Sequence, residues 1–338
     1  MIRHTFASHH SLLTLSLLVF TLFQSLGQQV IKFEPVTSKT TSLLPKPEGL
    51  VYQGNYTSIT EVFEDNGKYY MIVNDLVGGW PAKKINVALL ESADLEHWSW
   101  LTKPLFSSED LPYKLSKPRG FATSIIKHAN GTYFLYMDVL DNDQNLGIGL
   151  ATAPALTGPW KVHPSLVLKP DENTWDAHAL VGGDVIEQNG KFIMYYMGMM
   201  TAIKNGETAI GVAESADGIK WEKREKPVIT KSAAGFDKCK IGVPKIIHDG
   251  EGYTLIYRSD NCDGSWGGDS AYGIAKSEDG ISWQKQSTPV LHEDDVENWR
   301  TIWACGLIRV EDTYHLFLEY DGPPSYDTRV NHAIYKLR

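Results

Sequence analysis

The chain has 338 residues, 42% of them hydrophobic and 11% aromatic, with a formal net charge of −9 and three cysteines. That acidic balance makes nucleic acid and anionic membrane surfaces poor partners, and three cysteines cannot all pair within one chain. The length allows one large domain or two ordinary ones.

In chain order, the first segment reads as an export signal. Arg3 precedes the apolar run LLTLSLLVFTLF, and Ser25-Leu26-Gly27 place small residues where cleavage is expected. The run is too short to span a bilayer. Residues 1–27 are therefore read as a secretory signal peptide, and the mature protein as secreted or periplasmic with no membrane insertion. Residues 28–50 lack periodicity and read as a leader that wraps the following domain or supplies its closing strand, with Val30 to Phe33 as the candidate.

From residue 51 onward one pattern recurs. Trp175 to Ile229 holds four short β-type runs, broken at Gln188-Asn189-Gly190, at a polar loop containing Asn205-Gly206, and at Asp217-Gly218. Asn-Gly and Asp-Gly tolerate the positive φ of tight turns, so the unit is an antiparallel meander. It returns as FEDNGKYYM, IKHANGTYFLYM, IEQNGKFIMYYM, IHDGEGYTLIY and RVEDTYHLFLEY. Glu61, Ser124, Asp184, Lys245 and Gly306 hold matching positions, spaced 63, 60, 61 and 61 residues apart. Trp98, Trp160, Trp221 and Trp283 also match. Sheet-only repeats of this length indicate a β-propeller. Five copies predict an all-β, five-bladed propeller of four-stranded antiparallel blades over 51–338, divided at about 51–110, 111–170, 171–232, 233–292 and 293–338. The last copy is short, so the leader is expected to complete it.

In such a ring the first strand of each blade lines the central channel, and its start shares one mouth with the end of the second strand. Strand alternation gives Glu61, Asp184 and Lys245 a common orientation, placing two carboxylates and an amine in one channel. Charge there is paired, hydrated or used. The bland alternative is a salt bridge between Glu61 and Lys245 that plugs the channel, with Asp184 bonded to backbone amides. Asp176 and His178, in TWDAH, read as an acid with its orienting partner, a metal pair, or a plain loop; two ligand types without a third are weak grounds for a metal. Asp138 and Asp141 lack the spacing of an EF-hand. Trp80, Trp175, Trp266, Trp299 and Trp303 suit either stacking on a sugar or packing between blades. Cys239 and Cys262 either bridge or are small buried residues.

The meanders carrying NGKYYM, IGVAESADGIKWEK and PVI resemble the five-bladed propeller glycosidases, which include glycoside hydrolase families 43, 62, 32, 68, 117 and 130. The resemblance covers nearly all of the mature chain. It implies a glycosidase with carboxylates at the channel mouth, removing terminal or side-chain sugars from plant or algal oligosaccharides or polysaccharides, with arabinofuranosidase-like or xylosidase-like activity as the leading expectation. Inversion requires the acid and base to stand roughly 6.5–9.5 Å apart, retention about 5 Å. The chain departs from the family pattern: Ile59-Thr60 stands where family 43 has Asp-Pro, and Gly242-Val243-Pro244 where it has Glu-Gly-Pro.

Under this resemblance Glu61 is expected as base or nucleophile and Asp184 or Asp176 as acid or pKa modulator, with Glu319 and Asp237 as further acid candidates. Lys245, Arg119 and Arg258 are expected to bind hydroxyls or an acidic or sulfated group, and Asp138, Trp175 and Trp80 to complete the substrate site. A histidine acid in family 117 keeps His178 in view. No metal ligand set and no cofactor is assigned, although calcium in the channel of some relatives leaves room for a structural calcium ion. The protein is expected to be a monomer. Two other classes stay open: a non-catalytic glycan-binding propeller, and a phosphorylase resembling family 130 in which Lys240, Lys245 and Arg258 hold phosphate.

Overall fold

The structure is a computed structural model that describes residues 30–36, 56–78, 82–101, 103–113, 121–201, 207–250, 252–260, 262, 269–295, 301–321 and 329–337. The expected signal peptide, and Trp80, Arg119, Trp266 and Trp299, lie outside the described residues. Lys32–Arg338 forms one compact unit.

Five antiparallel sheets follow one another along the chain, each ordered as a meander. The inner strands are Tyr56–Asp65, Phe121–Lys127, Ala179–Gln188, Lys240–His248 and Thr301–Val310. The second strands are Lys68–Val77, Tyr133–Leu140, Lys191–Met199, Tyr253–Asp260 and Thr313–Asp321, and the third Lys84–Ser92, Leu146–Ala153, Thr208–Ser215, Ala271–Ser277 and Arg329–Lys336. Short outer strands finish blades one to four. In blade five the outer strand is Glu34–Pro35, paired antiparallel with Ile334 and Ala333. The leader therefore joins the last blade, but one residue beyond the expected Val30–Phe33 run. The apolar pattern marked where side chains are buried. Phe33 is buried, but its N–H bonds the carbonyl of Val290 in blade four, and pairing with blade five begins at Glu34.

The second strands are near-continuous apolar runs because blades pack face to face. One buried cluster joins Ile72, Val87, Leu89 and Phe106 of blade one to Leu135, Met137 and Val139 of blade two. Hydrogen bonds register the blades as well: Tyr136 donates to the Gly218 carbonyl of the next blade at 3.0 Å, and Tyr195 to that of Gly280 at 2.9 Å. Those acceptors belong to the repeated Ser-x-Asp-Gly turn. In blade three Ser215 Oγ accepts from Gly218 N, Asp217 Oδ1 accepts from Ile219 N and Lys220 N, and Trp221 Nε1 closes onto Gly218 O.

Each inner strand breaks register once, at the same level: between Ile59 and Glu61, Ala122 and Ser124, Val181 and Asp184, Gly242 and Lys245, and Ile302 and Cys305. A bulge bends its strand and re-aims the side chains beside it. Here it separates the channel centre, on one side, from the mouth, on the other.

Candidate active site

Just below the bulges, Glu61, Asp184 and Lys245 meet. Lys245 Nζ donates to Glu61 Oε2 and Asp184 Oδ1, both at 3.2 Å, and to the Thr123 carbonyl at 2.6 Å. The other carboxylate oxygens accept backbone N–H groups, Glu61 Oε1 from Val62 at 3.0 Å and Asp184 Oδ2 from Ile246 at 2.7 Å. Side-chain exposure is 4% for Lys245, 10% for Glu61 and 7% for Asp184, so the channel is closed at this level. Burial pushes the Glu61 carboxyl well above its ordinary range; Lys245 opposes the shift and Asp184 adds to it. Burial also works against the Lys245 ammonium, but Asp184 and Glu61 outweigh it and hold that group above the usual lysine range. Between the two carboxylates stands the lysine nitrogen, where an inverting pair would hold water.

Asp176 sits in a second closed cluster, further out. It accepts from Thr174 Oγ1 at 2.5 Å, Tyr196 OH at 3.0 Å and Lys223 Nζ at 2.8 Å. Trp175 lies flat on Tyr196, with ring centroids 5.9 Å apart, and covers Gly198 and Gly211, where any Cβ would strike it. Blade four repeats the arrangement: Asp237 accepts from Tyr257 OH at 2.9 Å and Lys285 Nζ at 2.7 Å, and Phe236 stacks on Tyr257. Burial, then the neighbouring carboxylate, raises the pKa of both tyrosines. A motif that returns with the repeat serves the blade, so Trp175 and Asp176 are placed as packing and clamp. His178 is exposed, and its backbone N–H is bonded to Met199 O.

On the mouth side of the bulges the second strands bring a ring of side chains to one level: Asn74, Asp138, Met197, Arg258 and Glu319. Where contacts are described, each reaches the inner strand of the next blade. Asn74 both donates to and accepts from the Ala122 backbone, at 3.1 and 2.9 Å. Asp138 Oδ1 accepts from Gly182 N at 2.8 Å. The Met197 thioether fills the space beside Gly242, where an added Cβ would fall 1.9 Å from Sδ. Arg258 donates to Asp260 Oδ2 at 2.5 Å, and its guanidinium lies 4.7 Å from the Trp303 ring centroid. Burial lowers the Arg258 pKa, opposed by Asp260 and, more weakly, by Tyr272 and Glu319. Thus Asp138, Arg258 and Glu319 share one level on the mouth side of the bulges, Arg258 and Glu319 themselves buried, while Glu61, Asp184 and Lys245 close the channel below it. The position that carries glutamate in the family 43 pattern is Gly242, and Met197 leaves no room there for a side chain.

Cys239 and Cys262 form a disulfide, with Cα atoms 5.1 Å apart. It ties the start of the blade-four inner strand to the loop after Asp260. Cys305 is a buried free thiol beside the triad, pushed up to about 12 by burial. Among the described residues no three His, Cys, Asp or Glu side chains stand together as a metal site; the cation between Glu61 and Asp184 is the lysine itself. A separate cavity of about 570 Å³, lined among others by Tyr113, Asp141, Trp221 and Lys223, lies between blades two and three.

The fold places the chain in one structural class, the five-bladed β-propellers. Within that class residues 51–184 match the pattern of glycosyl hydrolases family 43, and the match supports glycosidase as the enzyme class. Solved structures share the architecture at low sequence identity. A thermostable family-43 glycoside hydrolase is 18% identical, with a TM-score of 0.64 over 84% of this chain and 91% of its own. An exo-1,5-α-L-arabinanase from a bovine ruminal metagenomic library is 16% identical, with a TM-score of 0.55 over 85% and 95%. The β-1,2-mannobiose phosphorylase from Listeria innocua is 15% identical, with a TM-score of 0.62 over 91% and 97%. A comparison with curated proteins finds no match.

Proposed function

We propose that the protein is an exported glycoside hydrolase that removes a terminal or side-chain sugar from an oligosaccharide or polysaccharide. The observation that carries this reading is the closed triad: it turns the channel into a blind pocket, which suits the end of a sugar chain and not its middle. The exo-acting arabinanase with the same fold supports the reading. Glu61 and Asp184 bind Lys245 and Asp176 binds Lys223, so the reading assigns the reaction to Glu319 and Asp138, two carboxylates on the mouth side of the bulges. In this reading they act as the proton donor and the base, on the two blades that flank blade one. Acid–base work requires one of the two to be protonated while the other is ionised. Export is supported by the disulfide, which persists in oxidising compartments, together with the signal-like first 27 residues.

The test is a panel of aryl glycosides and plant and algal oligosaccharides, run with and without phosphate against the wild type, Glu319→Gln, Asp138→Asn, Glu61→Gln and Asp184→Asn. Phosphate-independent release of one sugar, lost by more than about a hundredfold in Glu319→Gln or Asp138→Asn, is expected. Turnover that requires phosphate would make the protein a phosphorylase. Gly242 specifically favours a second reading, a glycan-binding propeller, because the family acid position is empty of any carboxylate; binding without turnover would establish it.

A further inference from the structure

The starts of the inner strands lie on the mouth side of the bulges, above the triad. Among their described side chains, those partly open to solvent are Phe121, Val181, Val243, Trp303 and Ala304. Every one is apolar, although charged groups surround them. Phe121 packs on Leu76, Ala82 and Ile85, and Val181 on Met197 and Met199. Gly182 meets Val243 so closely that an added Cβ would lie 3.1 Å from its Cα, which brings the two valines onto adjoining strands.

Val243 is held there against its own backbone. Its φ is 48°, a region that β-branched residues rarely adopt. The matching bulge position in blade three is Gly182, with φ 66°, where glycine takes the same turn without strain. Strain of this kind persists where surroundings over-determine it, and it gathers at functional sites. The chain keeps an isopropyl group where glycine would relax the strand.

A hydroxyl pressed against Val181 and Val243 would lose water and gain no partner, whereas a methyl group gains by leaving water. Resting on the reading of the mouth as a sugar site, we infer that the sugar it selects is a 6-deoxyhexose, with the C6 methyl seated on Val181 and Val243. The ring hydroxyls then face the polar arc of Asp138, Arg258 and Glu319.

Saturation-transfer NMR tests this on configurationally matched sets that differ only at C5. One set is methyl β-D-galactopyranoside, methyl β-D-fucopyranoside and methyl α-L-arabinopyranoside, carrying hydroxymethyl, methyl and hydrogen; gluco and L-manno sets accompany it. In one series the 6-deoxy member should receive the strongest saturation, greatest at the C6 methyl protons. Val243→Thr and, separately, Val181→Thr keep the branched shape, add a hydroxyl, and should each reduce that signal several-fold. Equal or stronger transfer to the hydroxymethyl or hydrogen member, saturation concentrated elsewhere on the ring, or no transfer in any set overturns the inference. Aryl glycosides of the same sugars separate it from the hydrolase reading: methyl-selective binding without cleavage sinks only that reading, and cleavage that favours the hydroxymethyl member sinks only this one.

Discussion

Among the described residues, buried lysine–carboxylate clusters stand both at the channel and further out, and the two kinds differ. The outer clamps, Asp176–Tyr196–Lys223 and Asp237–Tyr257–Lys285, recur with the repeat and keep their lysines partly in water, at 12% and 23% side-chain exposure. The central triad draws one residue from each of three blades, occurs once, and leaves its lysine 4% exposed. Recurrence marks the clamp as part of the blade. Singularity marks the triad as a property of the assembled ring.

The largest effect should follow from breaking the triad. Lys245→Met leaves two buried carboxyl groups facing each other without their cation, and removing one partner of a buried ion pair costs about 3–5 kcal/mol. Denaturant unfolding should show that loss. The triple change Lys245→Met, Glu61→Gln and Asp184→Asn should recover most of it, because no charge is then stranded; a triple variant as weak as the single one would show that the cost lies in packing.

Blade five sharpens the comparison from another side. It holds His332 stacked on Phe317 at 4.3 Å, with His315 Nδ1 3.0 Å from His332 Nε2. Burial lowers the His332 pKa from 6.5 to about 4, and His315 adds to the shift. The unfolded chain then binds more protons than the folded one between those values, so stability is full above pH 6.5 and falls as pH drops towards 4, by at most about 3 kcal/mol. Thermal melts across that range should slope for the wild type and flatten in His332→Phe.

A clamp should matter less. Lys223→Met is expected to cost about 2 kcal/mol, less than the triad because solvent reaches the lysine, and its effect should add to that of Lys285→Met as expected for separate sites. Asp176→Asn keeps its hydrogen-bond partners and should lower stability while leaving sugar turnover within a few-fold; a loss of about a thousandfold would return Asp176 to the catalytic machinery. Smallest of all, Tyr136→Phe removes one donor to Gly218 O, which Trp221 still satisfies, and should shift stability by about 1 kcal/mol.

Much of this was legible in the sequence. The near-constant spacing of Glu61, Asp184 and Lys245 placed them in one channel, because a pleated strand fixes side-chain direction by position. Whether they would plug the channel or work in it depended on the bulges, which no residue pattern announced. TWDAH by itself left Asp176 open as an acid, a metal ligand or a loop residue; the recurrence of its setting 61 residues on at Asp237, with matching tyrosine and lysine, is a signal for a part in the blade that the motif alone does not carry. The ring of Asn74, Asp138, Met197, Arg258 and Glu319 escaped notice as a set because five unlike side chains share a place and no chemistry. Val243 was visible only as a departure from a family pattern, since strain is a fact of φ.

The pairing of Glu34–Pro35 with Ile334 and Ala333 has a temporal consequence. During synthesis the first strand of the ring has no neighbour until the strand Arg329–Lys336 of blade five has been made. Ring closure therefore waits for blade five. A chain made only as far as blade four can hold formed blades, but not the ring.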